Sequence, residues 1–237
     1  MLARAFTAIG AGDDAVTVFA KGVADSRTTS ISEFERESRD LARAIGGCLA
    51  ERRTLVYLSG AGAIYGRRAP LRHEDDVLLP ETMYGRHQVG CEQAIRTSGV
   101  GYLIARIPNA VGHPQRPAQL VPALVEQVQA GRVAVSPGAS RDLIDAADVA
   151  ALVSALLVAG ARNVTVNVAS GISTEVGDLV ASIEGLLGTT AERVVLDGPP
   201  DPQLFSIDRL QSYVPDWRPA PRYPFEVLER YVRMTAP

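Results

Sequence analysis

An α/β fold with a mostly parallel sheet flanked by helices is what this sequence predicts. Two observations carry that prediction. Short, near-continuous apolar runs recur along the chain, as in strands covered on both faces. Between them lie amphipathic stretches with helix start and stop signals, an alternation that marks a parallel sheet joined by crossover helices.

Taken in order, Met1 to Ile9 reads as a helix with Leu2, Phe6 and Ile9 on one side, and Gly10-Ala11-Gly12 leads from it to a strand at Val16–Ala20. Ser32 and Glu35 form a capping box, placing Phe34, Leu41, Ala42 and Ile45 on one helical face until Gly46-Gly47. Further strands are predicted at Leu55–Ser59, Tyr102–Arg106 and Thr165–Val168. Ala146 to Val158 is almost wholly apolar and is expected to be a buried helix. Val176, Leu179, Val180, Ile183, Leu186 and Leu187 make an apolar stripe closed by Gly188. Prolines from Pro199 to Pro224 break the C-terminal part into short elements before a last helix from about Phe225 to Met234.

Composition excludes several classes. With 237 residues the chain can bury a sizeable core, and 46% apolar with 22% charged residues is ordinary for a globular protein. A net charge of −3 with interspersed signs argues against nucleic-acid and anionic-membrane partners. Cys48 and Cys91 offer no disulfide framework and point to reduced thiols in the cytoplasm. No apolar run approaches the roughly 20 residues of a spanning helix, and Met1–Phe6 lacks signal-peptide features. His73, His87 and His113 are scattered without metal-ligand spacing, so they read as surface or loop residues and no metal is expected.

Several segments, in order and spacing, resemble the extended short-chain dehydrogenase/reductase family, which includes nucleotide-sugar epimerases and dehydratases. Leu55 to Gly66 resembles the strand and loop that carry the catalytic Ser or Thr. Tyr84 to Glu92 resembles the family's tyrosine helix, and Ala105 to Gly112 the strand and turn beneath the nicotinamide. Arg141 to Ala150 is similar to the signature before a long helix; Val166–Gly171, Asp208–Leu210 and Trp217–Pro219 resemble later segments. The resemblance implies a single Rossmann-like domain over residues 1–237, with a shortened dinucleotide-binding part to about residue 110 and a substrate lobe after it.

It also implies roles. Tyr84 would exchange a proton with the substrate, Ser59 could hydrogen-bond it if Gly60 and Gly62 let the loop shift, and NAD or NADP would lie against Ala20, Gly22, Pro108 and Asn109. Asn109 and Arg141 are candidates for a nucleotide-linked sugar, Arg141 because a guanidinium pairs with phosphate oxygens. The alternative for Arg141 is a pair with Asp145 or Asp148 that fixes the loop. Asp142, Asp145 and Asp148 read as caps of the following helix rather than as a cation cage. A homodimer through the tyrosine helix is implied by the same analogy.

The chain departs from the family pattern at three places. Position 88, where the family has a lysine that lowers the tyrosine pKa, is Gln88. The usual Ser/Thr position falls on Ala61, with Ser59 two residues earlier. No strand and Gly-x-Gly turn precede Met1, which suggests either a start further upstream or weak dinucleotide binding. Lys21, the only lysine, is the candidate cation for position 88, against the bland reading of a solvated loop lysine. Three functions follow: an NAD(P)-dependent epimerase, dehydratase or ketoreductase of nucleotide sugars; a binding or regulatory protein on the same scaffold; or a non-redox enzyme using Tyr84 as general acid.

Overall fold

The computed structural model describes residues 1–8, 15–20, 22, 28–66 and 71–235. Its first half runs α1 (Leu2–Ala8), β1 (Val16–Phe19), α2 (Ile31–Glu51), β2 (Thr54–Gly60), α3 (Ala61–Ile64), β3 (Leu71–Arg72), α4 (Met83–Thr97), β4 (Tyr102–Ile107) and β5 (Asn109–Val111). The second half continues through α5 (Leu120–Gln129), β6 (Arg132–Val135), β7 (Ser140–Asp145), α6 (Ala146–Val158), β8 (Val164–Asn167) and β9 (Ser173–Glu175). It ends with α7 (Val176–Leu187), β10 (Glu192–Val195), β11 (Leu204–Phe205), α8 (Asp208–Tyr213) and α9 (Tyr223–Thr235).

The central sheet is parallel throughout, in the order β1-β2-β4-β8. Alternation along these strands feeds two apolar layers. Val56, Leu103, Ala105 and Val166 pack with Phe6 of α1 and with α6 on one face. Leu55, Tyr57 and Ile104 pack with Leu41 and Cys48 of α2 and with Cys91 and Ile95 of α4 on the other. This is the two-sided covering that the near-continuous apolar runs predict. A further core joins α5, α7 and α9 to β7. Smaller pairings complete the fold: β5 parallel to β7, β7 antiparallel to β9, and the parallel pairs β6–β10 and β3–β11. Among the described residues, no helix is long and apolar enough to cross a membrane.

The boundaries of two helices differ from expectation. α2 is capped by Ser30, whose hydroxyl accepts from the Glu33 N–H, rather than by Ser32. It also runs through Gly46-Gly47 to Glu51, because buried Cys48 sits on the same face as Leu41 and keeps the last turns packed on the sheet. Its true stop is Arg52, in the left-handed region at φ 54°. α9 opens at Tyr223, since a proline at 224 is tolerated in a first helical turn. α6 and α7 have their expected limits, and Gly188 closes α7 at φ 64°. Ile9 to Gly12 lie outside the described residues.

One charged pair sits inside the fold. Arg106 of β4 is 1% exposed and Glu92 of α4 fully buried. The guanidinium donates to both carboxylate oxygens, Nε to Oε1 at 3.0 Å and Nη2 to Oε2 at 2.7 Å. Its Nη1 donates to the Tyr65 hydroxyl at 2.8 Å and to the Glu74 carbonyl at 3.0 Å. Tyr65 in turn donates to Asn167 Oδ1 at 2.7 Å, and the Asn167 N–H donates to Glu74 Oε1 at 2.8 Å. Removing one partner of a buried pair leaves an uncompensated charge. Glu92→Ala is therefore expected to lower the unfolding free energy by about 3–5 kcal/mol. Urea denaturation checks this; a loss below about 1 kcal/mol would contradict it.

Candidate functional site

A cleft of about 1260 Å³ opens at the carboxyl ends of β1, β2 and β4, the place where open α/β sheets bind ligands. Phe19, Ala20 and Gly22 line it from β1, Ser59 and Gly60 from β2, and Pro108 and Asn109 from the turn after β4. Tyr84 of α4 and Arg141 of β7 complete it. Seven of the eight described site candidates thus share one cavity, although they span positions 20 to 141. Gln88 does not line it, and Lys21 lies outside the described residues.

Tyr84 reaches the cleft from the first turn of α4. Thr82 caps that helix, its hydroxyl accepting from the Gly85 N–H at 3.0 Å. Gly85 is required there, because a Cβ would sit 2.2 Å from the Ala63 carbonyl oxygen. The tyrosine hydroxyl lies over Gly60, where an added Cβ would come within 2.7 Å of it. Beside it, the Ser59 hydroxyl is buried and has no hydrogen-bond partner among the described residues. A buried hydroxyl without a partner at a cleft wall is free to bind a ligand oxygen. Ala61 is fully buried at the start of α3 and carries no such group.

The surroundings of Tyr84 hold a network that sequence spacing does not reveal. Glu37 of α2 is fully buried. The Tyr57 hydroxyl lies 3.1 Å from Glu37 Oε1 and 3.0 Å from Gln88 Oε1, and Gln88 Nε2 lies 3.5 Å from Glu37 Oε1. Gln88 therefore faces a carboxylate and a phenol, not the cleft. His87, expected at the surface, is instead packed on Phe34 with ring centroids 4.7 Å apart, and its Nε2 lies 3.1 Å from Glu37 Oε2 and 3.5 Å from Cys91 Sγ. Burial, then the nearby Glu37 and Cys91, push the Tyr84 hydroxyl well above its usual pKa. Burial pulls His87 down, but its contacts with Cys91 and Glu37 outweigh that and carry it up to about 9.

The substrate-lobe candidates are tied down by other partners than expected. Asn109 Nδ2 donates to the Asp142 carbonyl at 3.1 Å. Arg141 pairs with Asp201 at 2.9 Å, not with Asp145 or Asp148, and its Nη1 also donates to the Ser140 and Asp201 carbonyls. Asp145 caps α6 through the Ala147 N–H and pairs with Arg230. Asp148 accepts from the Tyr223 hydroxyl at 2.6 Å. Asp142 caps no helix: it is fully buried and accepts from Ser170 and Gly171 in the loop after β8. Behind Arg141 lies a residue that sequence reading missed, Arg72, 2% exposed, with Nε and Nη1 unpartnered and Asp201 4.0 Å away. Its two-residue strand gave no periodic signal.

A family model described as "NAD dependent epimerase/dehydratase family" matches residues 4–169. No curated protein matches the chain. Among solved structures, the UDP-glucose 4-epimerase of Thermotoga maritima with UDP-glucose is 20% identical, with a TM-score of 0.76, over 100% of this chain and 82% of that one. The UDP-glucose 4-epimerase of Thermus thermophilus with NAD is 19% identical at TM-score 0.78, over 100% and 83%. The dTDP-glucose 4,6-dehydratase of Bacillus anthracis with NAD is 18% identical at TM-score 0.78, over 98% and 76%. These structural likenesses establish the shared Rossmann-like fold.

The contact between Gly60 and Tyr84 can be tested alone. Gly60→Ala is expected to cost about 1–3 kcal/mol through overpacking. In a Tyr84→Phe background the nearest atom is gone and the next lies 3.3 Å away, so the cost should fall by at least about 0.5 kcal/mol. Denaturation of the four proteins in this cycle measures the coupling; strict additivity would contradict the geometry.

Proposed function

The chain belongs to the NAD dependent epimerase/dehydratase family, and from that premise we propose that its cleft takes a nucleoside-diphosphate sugar beside a nicotinamide dinucleotide. The observation that carries this reading is the convergence of Tyr84, Ser59, Asn109 and Arg141 on one cleft at the strand ends. Relatives with the same fold were solved with UDP-glucose or with NAD. Two free cysteines fit a reducing, cytoplasmic setting.

The proposed roles follow from the geometry. Arg141 binds the diphosphate, exchanging part of its contact with Asp201 for phosphate oxygens. Ser59 Oγ, which lacks a partner, donates to the sugar oxygen undergoing reaction. Where that oxygen is a carbonyl being reduced, Tyr84 hands it a proton, and a bound reduced dinucleotide would supply the hydride to its carbon. The raised pKa keeps its proton on at neutral pH, because burial, then Glu37 and Cys91, disfavour the phenolate. Ala20, Gly22, Pro108 and Asn109, which line the cleft, would hold the dinucleotide; when bound it supplies hydride transfer.

A second reading has its own observation. Gln88 is turned into the Glu37–Tyr57 network, so position 88 offers Tyr84 no cation. That suits a non-redox enzyme in which Tyr84 is a general acid, or a binding protein on the same scaffold.

Titrations with NAD, NADP, UDP-glucose and dTDP-glucose separate these readings. The redox reading expects both ligand classes to bind; sugar nucleotide without dinucleotide supports the second reading, and neither ligand overturns both. Arg141→Ala is expected to weaken sugar-nucleotide binding about 10-fold or more, as loss of a charged hydrogen bond costs about 1.5–3 kcal/mol. Arg141→Lys should restore little of it.

Where turnover is measured, Tyr84→Phe is expected to lower kcat about 10²–10⁴-fold. Because Tyr84 stays protonated across that range, kcat should not climb between about pH 6 and 9. A rise with an apparent pKa near 7 would mean that the tyrosine works as a phenolate.

A further inference from the structure

Three side chains with metal-ligating atoms meet in the layer between α2 and α4. They are Glu37, His87 and Cys91, and one ligand atom from each lies within 4.8 Å of the others. We propose that Glu37, His87 and Cys91 form a zinc site, separate from the nucleotide cleft.

Two of the three ligand-to-ligand distances match a single tetrahedral ion, and the third pair, Glu37 and Cys91, lies within 4.8 Å. Tetrahedral zinc bonds to nitrogen, oxygen and sulfur set ligand-to-ligand edges of about 3.3 Å for N···O and about 3.6 Å for N···S. The observed edges are 3.1 Å from His87 Nε2 to Glu37 Oε2 and 3.5 Å from His87 Nε2 to Cys91 Sγ. Both partners approach the same ring nitrogen. In a Cys-His-Glu proton relay they would occupy opposite nitrogens, so the arrangement is one of convergence on a point rather than a relay. Thiolate, imidazole and carboxylate together favour zinc over the hard cations.

The surroundings supply what such a site needs. His87 and Cys91 are one turn apart on α4, and the His87 ring is held by Phe34. The second carboxylate oxygen of Glu37 is oriented by Tyr57 and Gln88, the outer hydrogen bonding that fixes metal-binding side chains. Glu37 and Cys91 are buried, while the His87 side chain keeps 11% exposure as a route for entry. Three protein ligands leave a fourth position for water. Sequence spacing hid the set because Glu37 lies fifty residues before His87.

The test uses the full chain, stripped with a chelator and then titrated with zinc and, separately, with cobalt(II) as a spectroscopic probe. One zinc per chain is expected, with a rise in Tm on loading. Cobalt should give a thiolate charge-transfer band that persists in Cys48→Ser and vanishes in Cys91→Ser. His87→Ala should abolish tight zinc binding, and Gln88→Leu should weaken it about 10-fold. The cobalt spectrum of the unsubstituted protein decides even where a variant misfolds: absence of the thiolate band overturns the site. Binding undiminished in both Cys91→Ser and His87→Ala overturns it too. Nucleotide binding plays no part in these readouts, so failure here leaves the proposed function standing, and the reverse.

Discussion

The bidentate contact between Arg106 and Glu92 is the interaction on which the rest of the arrangement depends. It joins the C-terminal end of β4 to α4 inside the protein, where an unpaired charge would be costly. The remaining guanidinium hydrogens reach Tyr65 after α3 and Glu74 after β3, and those two residues engage Asn167 at the end of β8. A single side chain thereby ties a helix, two loops and two strands together. Hydrophobic isosteres often replace such a pair without loss of stability. Its value here is positional: it fixes the rotation and height of α4, and with them the place of Tyr84, two turns earlier on the same helix.

What surrounds Tyr84 then determines its chemistry. The family pattern puts a lysine four residues on, where it lowers the tyrosine pKa. Here Gln88 is neutral and bonded to Tyr57 and to the Glu37 carboxylate, so position 88 itself supplies no cation. Burial and that carboxylate act in the same direction on Tyr84, and both keep its proton on. The cleft side of the same tyrosine is open toward Ser59 and Gly60. The central claim is therefore a proton-donating tyrosine in a proposed sugar-nucleotide cleft that Arg141 also lines.

The sequence made the sheet legible because apolar runs at β1, β2, β4 and β8 encode burial on both faces, a local property. α6 and α7 were legible for a similar reason, their limits being written in Asp145 and Gly188. The end of α2 was not, since Gly46-Gly47 argues locally for a stop and only the packing of Cys48 overrides it. The site divides the same way. Ser59 and Tyr84 lie within elements whose positions could be read, and Pro108 and Asn109 come directly after one, so their shared cleft was accessible. The partners of Gln88, His87 and Arg141 come from Glu37, Tyr57 and Asp201, and contacts across such separations have no local pattern. Arg72 left no signal for the same reason.

The most direct measurement of the central claim is a crystal structure of the protein with UDP-glucose. The account predicts the diphosphate within hydrogen-bond distance of Arg141, and a sugar hydroxyl within about 3 Å of both Tyr84 Oη and Ser59 Oγ. A ligand bound away from the cleft, or one whose sugar lies beyond reach of the Tyr84 hydroxyl, would contradict it.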